Sequence, residues 1–105
     1  MDARSLVDLL SEQSAAGRPY LEFIRTTAMS VGLYVLEPTD VDRQSPHFED
    51  EIYVVLAGRS SFTAGTKTRA AGRGDVIFVG AGVPHRFHDI VERLELIVVF
   101  APPES

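Results

Sequence analysis

Cysteine is absent from all 105 residues. Disulfide frameworks, thiolate metal sites and cysteine nucleophiles are thereby excluded, and any metal chemistry falls to histidine and carboxylates. Lysine occurs once, at Lys67, and the net charge is -5 with no basic run. Neutralising a phosphate backbone needs clustered lysine and arginine, so a nucleic-acid partner is not expected. Long apolar runs are missing too. Near the N-terminus, Leu6, Val7, Leu9 and Leu10 are interrupted by Asp8 and followed by polar residues, unlike a signal peptide. Nothing elsewhere approaches a membrane span, so the expected location is cytoplasmic with no membrane partner. Internal repeats, low-complexity segments and helical periodicity beyond residue 17 are likewise lacking.

What remains is strand and turn. Residues 3–16 carry the single helical pattern, with Leu6, Leu9, Leu10 and Gln13 on one face, Ser5 or Asp2 as cap, and Gly17 before Pro19 as stop. A helix lying on its own barrel is favoured for it over a partner-binding helix. Strands are predicted over 20–26, 29–37, 51–57, 60–63, 66–70, 76–79, 85–90 and 94–100, separated by glycine turns; Gly58-Arg59 is read as one of these. Apolar residues on both faces of 29–37 predict a strand packed on both sides. Without helical crossovers, βαβ units are excluded and an antiparallel sandwich or barrel is left. The length suits one domain, divided into an N-terminal helical arm at 1–19 and a β-barrel at 20–105.

Chemistry concentrates in two stretches. The first reads His47-x3-Glu51-x6-Gly58, the second Gly74-x7-Gly82-x2-His85. With the runs Asp50 to Gly58 and Gly74 to Val79, these resemble the two motifs of the cupin family, and the resemblance spans roughly residues 30 to 100. It implies an all-β fold, a double-stranded β-helix or jelly-roll barrel, here with a short N-terminal helix. It also implies a divalent metal held by His47, as the second histidine of a His-x-His pair, by Glu51, and by His85. Ser45 stands where the first histidine of that pair belongs, Gly80 where the family commonly has proline, and Asp89 where it often has asparagine.

The resulting set is two imidazoles and one carboxylate, which leaves up to three positions of an octahedral ion open. Iron suits it best by ligand type; manganese, nickel and zinc also fit. Ser45 is expected to face inward beside the ion, so that Ser45→His would create a fourth ligand. Glu49 and Asp50 are expected to be exposed turn carboxylates, with a possible outer-shell role. Gln44 is read as a loop residue that could reach the metal through water, and His88 as solvent-facing. Tyr53, Phe78 and Phe87 are candidates for core or cavity lining, and Gly58, Gly74 and Gly82 for positive φ or close approach. The function implied is a small metal-binding cupin that binds or transforms a small organic molecule, as a dioxygenase or isomerase. The alternative is a non-catalytic binding or sensing module. Edge strands and apolar faces left by so small a barrel also predict a homodimer.

Overall fold

A computed structural model describes residues 1–43 and 45–105. Gln44, for which a water-mediated contact was considered, lies outside the described residues. The chain forms helix α1 (Leu6–Ala16) and strands β1 (Tyr20–Arg25), β2 (Ser30–Leu36), β3 (Asp50–Ala64), β4 (Lys67–Gly72), β5 (Val76–Val79) and β6 (His85–Ala101). All pairings are antiparallel, in the order β1-β2-β6-β3-β4, with β5 pairing the first part of β3. No described helix is long and apolar enough to cross a membrane.

Two of these strands correct the sequence reading. The segments 51–57 and 60–63 are one continuous strand, β3, and 85–90 and 94–100 are one continuous strand, β6. Gly58 does have the expected positive φ, at 96°, but it marks a bulge and not a turn. The β3–β6 register slips there three times, between Val55 and Ser61. Extra residues in one strand bend the pair and raise its twist. In β6 the same region holds Asp89, whose φ of 50° is left-handed, a conformation that aspartate and asparagine tolerate better than most residues.

The bend folds the sheet over onto itself. Nine residues of straight strand would separate Tyr53 from Phe62 by about 30 Å, yet their ring centroids are 5.8 Å apart. Phe87 joins them at 4.9 and 4.6 Å, and this aromatic trio lies within the main core with Leu36, Val55, Leu94, Leu96 and Val98. Alternation then assigns the faces. Tyr20, Tyr34, Glu51, Tyr53, Val98 and Phe100 line a common interior space, while Phe78 turns outward and is 64% exposed, so that it is neither core nor lining to that space.

A second apolar cluster lies on the outside of the sheet. Leu9 of α1 packs with Leu33 and Val35 of β2, flanked by Leu10, Phe23, Leu56 and Ile97. Strand β2 is therefore apolar on both faces for the reason its sequence suggests. Ser5 caps the helix by accepting from the Asp8 N–H, and Gly17, at φ 68°, ends it. The helix starts later than the pattern from residue 3 suggested and covers its own barrel.

Candidate metal centre

The first ligand candidate is placed by the strand ladder. Glu51 is the second residue of β3, pairs with Phe100 of β6 and Val79 of β5, and points into the barrel. Strand β5 runs beside this end of β3, so the turn that follows it returns the chain to Glu51 and starts β6 with His85. The turn is held by the other motif: Gly82 N–H donates to the His47 carbonyl at 2.7 Å, and Ala81 N–H donates to Asp50 Oδ1 at 2.9 Å. Gly82 has φ 79° there. Asp50 is exposed as expected, but its carboxylate docks the second motif onto the first.

His47 lies in the loop before β3. That loop is pinned by a residue the sequence reading passed over, Asp42, which is buried. Its carboxylate accepts from the Tyr34 hydroxyl at 2.7 Å and from the Phe87 N–H at 2.9 Å, joining β2 to β6 through the loop. The His47 ring packs edge-on against Phe100, with centroids 5.0 Å apart, and lies 5.7 Å from the His85 ring.

One donor atom from each of His47, Glu51 and His85 lies within 4.8 Å of the other two. Donors at ~2.1 Å from one ion sit roughly 3 to 4 Å apart, so small side-chain rotations suffice to close the set. Nδ1–H of His85 donates to the Val83 carbonyl at 2.9 Å, which leaves Nε2 as the lone-pair atom. That atom sits 2.9 Å from Glu51 Oε1 and 3.0 Å from the Tyr53 hydroxyl. Glu51 is 2% exposed, and neither of its oxygens has a well-aligned hydrogen-bond donor. A buried carboxylate left in this state is costly. Two acceptor atoms therefore face each other in a buried site, and either a proton or a metal ion between them relieves the conflict. The donors present fit a divalent ion.

The electrostatics agree. Burial opposes protonation of His85, but Glu51 beside Nε2, the Val83 carbonyl and Asp42 together outweigh it and hold its pKa above the usual 6.5. The Tyr20 and Tyr34 phenols are pushed well above 10, by burial first and then by Glu104 and Asp42 respectively, so both stay protonated.

Around these groups lies a cavity of about 160 Å³ lined by Tyr20, Tyr34, His47, Glu51, Tyr53, Val98, Phe100 and Glu104. Tyr20 fits because Gly32 lies under its ring, where a Cβ would collide with the phenol. A glycine inside a strand signals such close approach, a signal the sequence reading did not use. Glu104 was not foreseen, nor was the burial of Glu49. Glu49, expected to be exposed, is 4% exposed and accepts from the Ser105 hydroxyl at 3.1 Å. His88 points away from the cavity, between Asp89 and Thr63, each at 2.7 Å.

Ser45 also departs from expectation. It is exposed and lies in the loop, outside any strand, so the alternation argument that aimed it at the ion does not apply. Ser45→His is accordingly expected to leave metal affinity unchanged in a competitive titration against a chelator. A tightening of about tenfold, worth about 1.4 kcal/mol, would put residue 45 at the ion after all.

Comparison with known proteins agrees with this architecture. A family model for the cupin domain matches residues 32–100. An uncharacterized protein of Streptomyces coelicolor is 48% identical over 105 residues, with each chain covered in full. Among solved structures, a Cupin 2 conserved barrel domain protein from Salinispora arenicola superposes with a TM-score of 0.75 at 20% identity, covering 95% of this chain and 87% of that one. A protein from Thermus thermophilus superposes at 0.73 with 23% identity, covering 98% and 99%. At these identities the structural likenesses speak to the fold.

Proposed function

The chain belongs to the cupin family, and from that premise we propose that it holds a divalent transition-metal ion on His47, Glu51 and His85 and uses it to bind and transform a small organic oxygen donor. The observation that carries this reading is Glu51, a buried carboxylate whose Oε1 lies 2.9 Å from His85 Nε2 and whose oxygens have no aligned donor. A bound ion would supply Lewis acidity and, if redox-active, access to oxygen chemistry of the dioxygenase kind. The protein's own groups do the rest. Two imidazoles and one carboxylate would leave up to three positions of an octahedral ion for other ligands, and the cavity volume, about half the ~300 Å³ lower end for drug-sized ligands, restricts entry to small molecules. The Tyr20 hydroxyl, buried without a hydrogen-bond partner, would serve there as an orienting group, whereas the Tyr34 hydroxyl is committed to Asp42.

One observation favours the second reading, a binding or sensing module without catalysis. Burial pushes the Tyr20 and Tyr34 phenols above their usual range, which makes them poorer proton donors to a ligand than ordinary tyrosines.

Elemental analysis and Co(II) titration of the purified chain, followed by oxygen-consumption assays with small diketones and catechols, test both readings. One ion per chain is expected. Occupancy should fall on acidification, because protons compete with the ion at His47 and at His85, whose pKa is held above its usual value. Full occupancy in a chelating buffer well below pH 5 would show that the two histidines are not both ligands. Turnover of any probe decides for the enzyme; stoichiometric metal with tight binding and no turnover decides for the module.

A further inference from the structure

Beyond Ala101 the chain leaves the sheet and crosses the rim of the cavity. Three hydrogen bonds fix the crossing: Glu104 N–H donates to Ser30 Oγ at 2.9 Å, Arg25 donates to the Glu104 carbonyl at 2.8 Å, and the Ser105 hydroxyl donates to Glu49 at 3.1 Å. Their partners come from β2, β1 and the loop before β3, and Ser30 is fully buried. The backbone of residue 104 is thus fixed on both its N–H and its C=O. Its side chain turns into the cavity wall beside His47, with Oε2 at 3.9 Å from His47 Nδ1.

We propose that this strap belongs to the metal site, with Glu104 as the positioning residue that accepts from His47 Nδ1–H and so presents Nε2 to the ion. The inference rests on the metal reading above. Its logic is the parallel with His85, whose Nδ1–H is fixed by an oxygen acceptor, the Val83 carbonyl, at 2.9 Å. A ligating imidazole is oriented by what its other nitrogen bonds to, and carboxylates commonly fill that role. His47 sits on a loop rather than a strand, and a carboxylate at its Nδ1 would hold the ring as the Val83 carbonyl holds that of His85. The separation of 3.9 Å is an ion-pair distance that a small rotation of the Glu104 side chain converts into a hydrogen bond. Glu104 also adds a carboxylate to the surroundings of the site, beside Glu51 and Glu49.

The test uses the full chain loaded with Co(II) and reads affinity together with the paramagnetically shifted exchangeable imidazole protons. The unaltered protein should show two such resonances, one from each histidine. Glu104→Ala should weaken Co(II) binding roughly 10- to 100-fold and lose the His47 resonance to solvent exchange while the His85 resonance persists. Glu104→Gln, which keeps an acceptor oxygen without the charge, should restore the resonance and part of the affinity. Two undiminished resonances and unchanged affinity in Glu104→Ala would overturn the proposal and leave the three-ligand site standing. Failure of the unaltered chain to bind Co(II) would remove both, and would be seen before any substitution is made.

Discussion

Gly58→Ala is expected to destabilise the domain by roughly 3–5 kcal/mol, enough to lower Tm by more than about 15 °C. Two causes combine. The residue has φ 96°, where any side chain is strained, and a Cβ there would lie 2.8 Å from Leu94 Cα and closer still to the Arg93 carbonyl, both backbone of the paired strand. Backbone within a ladder cannot step aside as a flexible side chain does, so the strands must separate locally. Gly65→Ala is the control, because φ is also positive, at 59°, but nothing lies within 4 Å of the new methyl; its cost should be near 1 kcal/mol. Equal losses for the two variants would mean that the close approach at the bulge does not matter. The consequence reaches the site, since this bulge helps bend β3 and β6 so that Glu51 meets His85. Along a straight ladder Glu51, paired with Phe100, and His85, paired with Ala64, would stand on the order of 40 Å apart.

The second large effect has opposite signs in two measurements. Glu51→Gln should weaken metal binding by about 100-fold or more, since removing a ligand exceeds the roughly 10–100-fold typical of an outer-shell change. In the metal-free protein at alkaline pH the same change should stabilise the fold, by about 1–3 kcal/mol, because it removes a buried charge without an aligned donor. The pH matters through His85. Its folded pKa is raised above 6.5, with Glu51 a main cause, so its contribution to stability is complete below the unfolded value and is lost as pH rises through the folded one. The unaltered metal-free chain should therefore lose stability over that rise, and Glu51→Gln should flatten the slope. Urea titrations at several pH values in the presence of a chelator measure this. A destabilised metal-free variant at alkaline pH would mean that the carboxylate holds the barrel together in its own right.

The elements most legible in the sequence were those whose signal is local. The cap at Ser5, the stop at Gly17, the two-faced β2 and the positive φ of Gly58, Gly74 and Gly82 each follow from residue type and periodicity. The three residues whose donor atoms come together, His47, Glu51 and His85, were legible because their spacing repeats a family pattern. The largest error comes from the bend, and the others from contacts or loop geometry remote from it. Gly58-Arg59 has the composition of a turn, and only the pairing of β3 with β6 on both sides of it shows that the strand continues. Glu49 sits in an acidic, turn-like run, and its hydrogen-bond partner Ser105 lies 56 positions away. Glu104 follows two prolines in a segment without periodicity, so nothing in its surroundings announces a cavity residue. Ser45 was placed by extending strand alternation into what is loop.

The strand order also dictates a sequence of events during folding. β6 lies between β2 and β3, which do not pair with each other. Until residues 85–101 arrive, the chain can form only two local units, the β1–β2 hairpin and the group of β3 with β4 and β5. Insertion of β6 joins them over long sequence separations, the slow step expected of non-local β topologies. Phe100, which lines the cavity, and His85 arrive with that strand, and Glu104 follows it. The chamber is thus the last thing to exist, and a nascent chain offers an ion no preassembled place to bind before its barrel closes.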